Sequence, residues 1–194
     1  MPSTTSVVTL PNLISIGRML LVPAIVVLTL NGDHAAALAI FVVAGLSDAA
    51  DGIIAARFDM RSELGAVLDP LADKILLVSI FVVLAVLGEL PVWLVALVVG
   101  RDLAILAAVA FAWITVRPLA IRPLWSSKVN TAMQIVLAGG VLTQHGLDLA
   151  VDGFVRALIV AAGVTTVVSS ADYVLAWWRQ APPRIPESTT GHTR

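Results

Sequence analysis

Six apolar stretches, near residues 13–30, 35–56, 64–88, 91–115, 128–146 and 153–178, make up most of the chain. Each is close to the roughly twenty residues that an α-helix needs to cross a bilayer. The breaks between them carry turn chemistry: Asn31, Gly32 and Asp33; Asp59 to Ser62; Gly88 to Pro91; Pro118 to Ser127; His145 to Asp148. The pattern predicts an all-α, polytopic membrane protein with six transmembrane helices. The first stretch begins with Pro11 and Asn12 and mixes Ser15 and Arg18 among Leu13, Ile14, Ile16, Met19 and Leu20, as an N-terminal interfacial helical segment would. Residues 1–180 are expected to form one membrane domain. The segment 181–194, APPRIPESTTGHTR, is too polar and proline-rich to pack and is read as a flexible cytoplasmic tail.

Composition sharpens this picture. Of 194 residues 59% are hydrophobic, more than a water-soluble domain of this size usually carries. There is no cysteine, which excludes a thiolate nucleophile, a disulfide framework and cysteine-ligated metal. Twelve basic against thirteen acidic residues leave a net charge of −1, so nothing points to a nucleic-acid partner. The start of the chain lacks the basic region and cleavage site of a signal peptide, and the first span is expected to stay attached.

Placement of the basic residues orients the spans. Arg57 and Arg61 fall in the second-to-third connection, Arg117, Arg122 and Lys128 around the fourth-to-fifth, and Arg179 and Arg184 after the last. The opposite connections hold no Lys or Arg except Arg156 just inside the sixth stretch, so both termini are expected in the cytoplasm. The expected location is a bacterial inner membrane, in contact with membrane lipids. Trp93, Trp113, Trp125, Trp177 and Trp178 suit interfacial anchors.

Against this apolar background stand Asp48, Asp51, Asp69 and Asp73. A carboxylate in hydrocarbon costs about 2.5–3.5 kcal/mol even on the mildest scale, so a group of them calls for cations or water. Residues three and four apart share a helix face. Asp48, Asp51, Gly52 and Ala55 therefore form one stripe on the second helix, and Gly65, Asp69 and Asp73 another on the third. A short turn makes the two helices antiparallel neighbours whose stripes can face each other. Oxygen ligands suit magnesium or manganese better than zinc. Gly52 and Gly65 admit either close helix contact or a ligand lying against the backbone. Pro70 removes a helix hydrogen bond beside Asp69.

The run Asp48-x-x-Asp51-Gly52-x-x-Ala55, followed by Gly65-x-x-x-Asp69-x-x-x-Asp73, resembles the signature of the CDP-alcohol phosphatidyltransferases. The resemblance extends to PNLISIGR, LDPLADK, GRD at Gly100 to Asp102 and SKVNTAMQ from Ser127, the last two most like cardiolipin synthases. It implies transfer of a phosphatidyl group from CDP-diacylglycerol to phosphatidylglycerol, giving cardiolipin and CMP. The alternative acceptor is glycerol 3-phosphate, as in phosphatidylglycerophosphate synthase, or another alcohol. It further implies two Mg2+ or Mn2+ ions held by Asp48, Asp51, Asp69 and Asp73, with Asp73 also the catalytic base. Nucleotide contacts are implied for Asp48, Gly52, Ala55, Arg57 and Gly65, and assembly as a homodimer is expected. Family members carry arginine directly after the alanine matching Ala55, whereas here Ala56 precedes Arg57. Either Arg57 reaches the phosphates from the helix end, or the site draws on Arg18, Arg101 or Arg122.

Other polar residues have two readings each. Lys74 either snorkels, balances the acids or touches a phosphate. Arg101 and Asp102 lie inside an apolar stretch and, as neighbours in sequence, are not expected to form a same-face pair; Arg101 faces an acid or an anionic substrate, or belongs to a structural ion pair. Lys128 either serves orientation or binds the acceptor phosphate; Asn130 and Gln134 either line that pocket or bond between helices. Histidine catalysis finds no support, because His34 and His145 fall on outer connections. A cation transporter built on midplane carboxylates is the competing class.

Overall fold

Three turns at one end of the molecule fix where its helices stop. The computed structural model describes residues 10–58, 63–114 and 125–180, with side-chain surroundings for 16–47, 72–108 and 125–175. Gly32 and Gly88 have φ of +79° and +78°, and Asp148 has +50°. A glycine at positive φ after a helix closes a Schellman turn. Here Asp33 N–H donates to Leu28 O and Glu89 N–H to Leu84 O, each at 2.9 Å. Asp33 then caps the next helix, its Oδ1 accepting from Ala36 N–H at 3.2 Å.

The described residues form six helices: α1 (Leu10–Leu30), α2 (His34–Phe58), α3 (Glu63–Val86), α4 (Val92–Ile114), α5 (Trp125–Gly146) and α6 (Asp152–Gln180). They fall where the apolar stretches predict, and no strand occurs among the described residues. The polar beginning of the first stretch is the opening of α1 itself. Residues 1–9 and the expected tail 181–194 lie outside the described residues.

Packing is by α1 against α2 and α3, α5 against α2 and α6, and α4 against α6, with shorter contacts of α3 to α4 and α5. Where side chains are described, α1 bridges α2 and α3, which were expected to be direct neighbours. The side chains of Asp48, Asp51 and Asp69 lie outside the described ones. Ile25, Ile80, Phe81, Leu84, Leu94, Leu137 and Leu142 are fully buried between the helices. Gly163 lets the Trp93 ring lie against α6, since a Cβ there would sit 3.1 Å from the ring.

The outward faces are apolar too. Leu20, Val42, Val86, Val92, Val129 and Val164, one on each helix, are exposed. A helix apolar all round does not suit a water-bathed surface. Among the described residues, Asp152–Leu175 of α6 is long and apolar enough to cross a membrane, and Ile16–Leu30 and His34–Ser47 are shorter apolar helical stretches.

The far end also holds a charge cluster. His34 Nδ1 donates to Gly32 O at 3.0 Å, and its Nε2 lies 2.9 Å from Glu89 Oε1. His145 stands 3.9 Å from the other carboxylate oxygen, and the two rings are 5.3 Å apart. Gln144 adds a 2.7 Å bond to Asp152. Three turns distant in sequence are thereby tied together.

Candidate active site

Opposite that end, the described charged side chains gather around α3. Asp73 is ion-paired with Arg18 of α1, whose Nη1 donates to Asp73 Oδ1. The arginine is 2% exposed and the carboxylate 40%. Burying an arginine costs several kcal/mol unless a carboxylate meets it, so the pair fixes Arg18 on Asp73. Both line a cavity of about 320 Å³ whose other walls include Phe41 and Gly45 of α2, Leu77 of α3 and Thr131 of α5. A charge pair in an otherwise apolar wall suits an amphiphile.

One residue along α3, about 100° round the helix, Lys74 turns to α4. Its Nζ donates to Asp102 Oδ2 at 2.5 Å. Arg101 donates to the other oxygen of Asp102 at 2.6 Å, so these sequence neighbours do pair. The long guanidinium arm folds sideways across the turn, a reach that the same-face rule for shorter pairs leaves out. Arg101 also donates to Ser127 of α5 at 2.7 Å and Ser169 of α6 at 2.8 Å, and lies 5.5 Å from the centre of the Tyr173 ring. Arg101 and Asp102 are both buried.

Asn130 bonds between helices: its Oδ1 accepts from Thr165 at 3.0 Å and Thr166 at 2.8 Å. Gln134 is buried, and neither its amide oxygen nor its nitrogen has a partner among the described residues. Lys128 is exposed, its ammonium 5.5 Å from the Trp125 ring centre.

Asp48, Asp51, Gly52, Ala55, Arg57, Gly65 and Asp69 have helical backbone, but their side chains lie outside the described ones; Arg122 lies outside the described residues altogether. Helical backbone at all four aspartates places Asp48 and Asp51 on one face of α2, and Asp69 and Asp73 on one face of α3. α3 stays helical through Pro70. An all-carboxylate donor set fits a hard divalent cation. Among the described residues no three acidic or imidazole groups are placed to hold a metal. Sequence reasoning missed the buried role of His34 and Glu89, and no local signal marks it, because the partners are far apart along the chain.

The described helices carry apolar residues on their outward faces, and Asp152–Leu175 is long and apolar enough to cross a membrane, which makes this an all-α, membrane-associated fold. The family model for CDP-alcohol phosphatidyltransferase matches residues 8–178, and the chain belongs to that family of transferases. It is 35% identical over 181 residues to the human cardiolipin synthase (CMP-forming), spanning 85% of this chain and 60% of that protein. The Schizosaccharomyces pombe cardiolipin synthase (CMP-forming) / mitochondrial hydrolase fusion protein is 34% identical over 90% of this chain and 32% of its own length. A probable phosphatidylglycerophosphate synthase of Mycobacterium tuberculosis is 32% identical over 85% of this chain and 79% of its own. The chain thus spans about a third of the fission-yeast protein and 60% of the human one.

Proposed function

We propose that the protein transfers a phosphatidyl group from CDP-diacylglycerol to the hydroxyl of phosphatidylglycerol, giving cardiolipin and CMP. Family membership supports the reaction class, and the single observation that carries the acceptor is the similarity to cardiolipin synthases of human and fission yeast. The second reading, glycerol 3-phosphate as acceptor, rests on the mycobacterial relative. Purified protein given CDP-diacylglycerol and Mg2+ with each acceptor separately tests both. Cardiolipin from phosphatidylglycerol is expected; phosphatidylglycerophosphate from glycerol 3-phosphate alone would move the assignment to the second reading.

In this proposal Asp48, Asp51, Asp69 and Asp73 would hold two divalent ions, Mg2+ or Mn2+, which would supply positive charge against the pyrophosphate and the CMP leaving group. Gly52, Ala55 and Gly65 leave room for the nucleotide, and Arg57 or Arg122 meets its phosphates. Asp73 accepts the proton of the attacking acceptor hydroxyl. As that oxygen bonds to the phosphatidyl phosphorus, the bond from phosphorus to the CMP oxygen breaks. The ion pair with Arg18 holds the Asp73 carboxylate in the wall of the cavity that both residues line. Lys128, exposed at the start of α5, is the proposed contact for the acceptor's phosphate.

All six helices are proposed to span the membrane, which the exposed apolar residues on every one of them support. The termini and the acid end then face the cytoplasm of a bacterial inner membrane. Residues 1–180 form the catalytic membrane domain, 181–194 a cytoplasmic tail, and the protein works as a homodimer.

A further inference from the structure

We infer that Asp102 is a positioning residue: by holding Lys74 from α4 it sets the rotation of α3 about its own axis, and so the aim of Asp73. The inference rests on the proposed role of Asp73 and goes beyond it.

Asp73 and Lys74 are consecutive, so their side chains leave α3 about 100° apart. One is taken by α1 through Arg18, the other by α4 through Asp102. Packing along α1 limits how far α3 can roll, and a second anchor on a different side limits it further. The pairing partners on both sides are buried. Arg18 is 2% exposed on α1, which packs extensively along α3. Asp102 is buried and is itself gripped by Arg101, which is fastened in turn to Ser127, Ser169 and Tyr173 on α5 and α6.

The contacts of α3 to α4 and α5 are short, and the Lys74 to Asp102 bond adds a charged link from the α4–α5–α6 half of the bundle to α3. Asp69, one turn before Asp73 on the same face, rotates with it. A small roll of α3 would carry Asp69 and Asp73 together away from the positions in which they would hold a divalent ion and meet an acceptor hydroxyl. Misplacement by about 1 Å can cost a hundredfold in rate.

The test uses the full chain in detergent, with CDP-diacylglycerol, phosphatidylglycerol or glycerol 3-phosphate, and a Mg2+ titration. Lys74→Met leaves the Arg101 to Asp102 pair in place and guards against misfolding of Asp102→Asn. Each substitution is expected to lower kcat about ten- to a hundredfold and to raise the Mg2+ concentration for half-maximal rate several-fold. The donor KM is expected to stay within threefold. Lys74→Arg, whose fork still reaches Asp102, is expected to recover most of kcat, and the double variant to be no worse than Asp102→Asn alone. Lys74→Met with unchanged kcat and Mg2+ requirement would overturn the inference. So would additive losses in the double variant, or a loss confined to donor KM, which would make Lys74 a phosphate contact. Absence of metal-dependent CMP release by the unaltered protein would instead remove the proposed function, and this inference with it.

Discussion

The two ends of this bundle use buried charge differently. At the far end, Glu89 is wedged between His34 and His145, and every partner sits on or beside a tight turn. Those groups tie one loop to another and line no described cavity. At the acid end, the Arg18 to Asp73 pair lies in the wall of a cavity, and the neighbouring Lys74, Asp102 and Arg101 connect it through four helices. Buried charge is weak evidence for stability by itself, since apolar replacements of the same shape can do as well. What separates the ends is access: Asp73 is 40% exposed and lines a cavity, whereas Glu89 is 13% exposed between rings.

The contrast predicts that substitutions at the acid end reduce turnover with a folded protein, while those at the far end reduce stability with turnover intact. Asp69→Asn should be the most damaging to activity, lowering Mg2+-dependent CMP release by roughly a hundred- to a thousandfold, the scale of losing a group that stabilises developing charge. Its thermal midpoint in detergent should stay near that of the unaltered protein. Substantial turnover in that variant would count against the carboxylate site.

Gly146→Ala should have the largest effect at the far end. A Cβ there would meet the backbone of Ala35 and His34 at 2.8–2.9 Å, and backbone cannot swing aside. A cost of about 1–3 kcal/mol is expected, as for overpacking elsewhere, read as a lowered thermal midpoint with the specific activity of folded protein within twofold. Loss of turnover at unchanged stability would erase the distinction between the ends.

Glu89→Gln removes the charge but keeps the shape, and should cost about 1 kcal/mol by weakening the contacts to both imidazoles. Chemical denaturation of protein in detergent checks it. Lys128→Gln should have the smallest effect, a rise of a few-fold in acceptor KM with donor KM unchanged. Its side chain is exposed, so it owes the fold little. An unchanged acceptor KM would return Lys128 to an orienting role.

Asp73 and Lys74 show how far sequence reading reaches. The four-residue step from Asp69 to Asp73 marked both as one helix face, because helical periodicity is a local property of the backbone. Lys74 stayed divided among three readings, since its partner Asp102 is 28 residues away and the pairing depends on how α3 and α4 are rotated. Arg101 bonding to its own neighbour went against expectation, because a long flexible arm is constrained by the hydroxyls across from it more than by helix spacing. Asn130 was readable as a helix-to-helix contact; that Thr165 and Thr166 donate to it was not.

The sequence by itself determined the six helices, their turn residues and the acidic spacing that marks the family. Apolar runs, glycine at positive φ and carboxylates at steps of three and four each act within a few residues. Only the tertiary structure decided that α1 bridges the described parts of α2 and α3, that Arg18 takes Asp73 and Asp102 takes Lys74, and that His34, Glu89 and His145 meet at the far end. Those outcomes depend on helix rotation and neighbour choice, which are set by the shape of the packed faces and the cost of burying an unpaired charge.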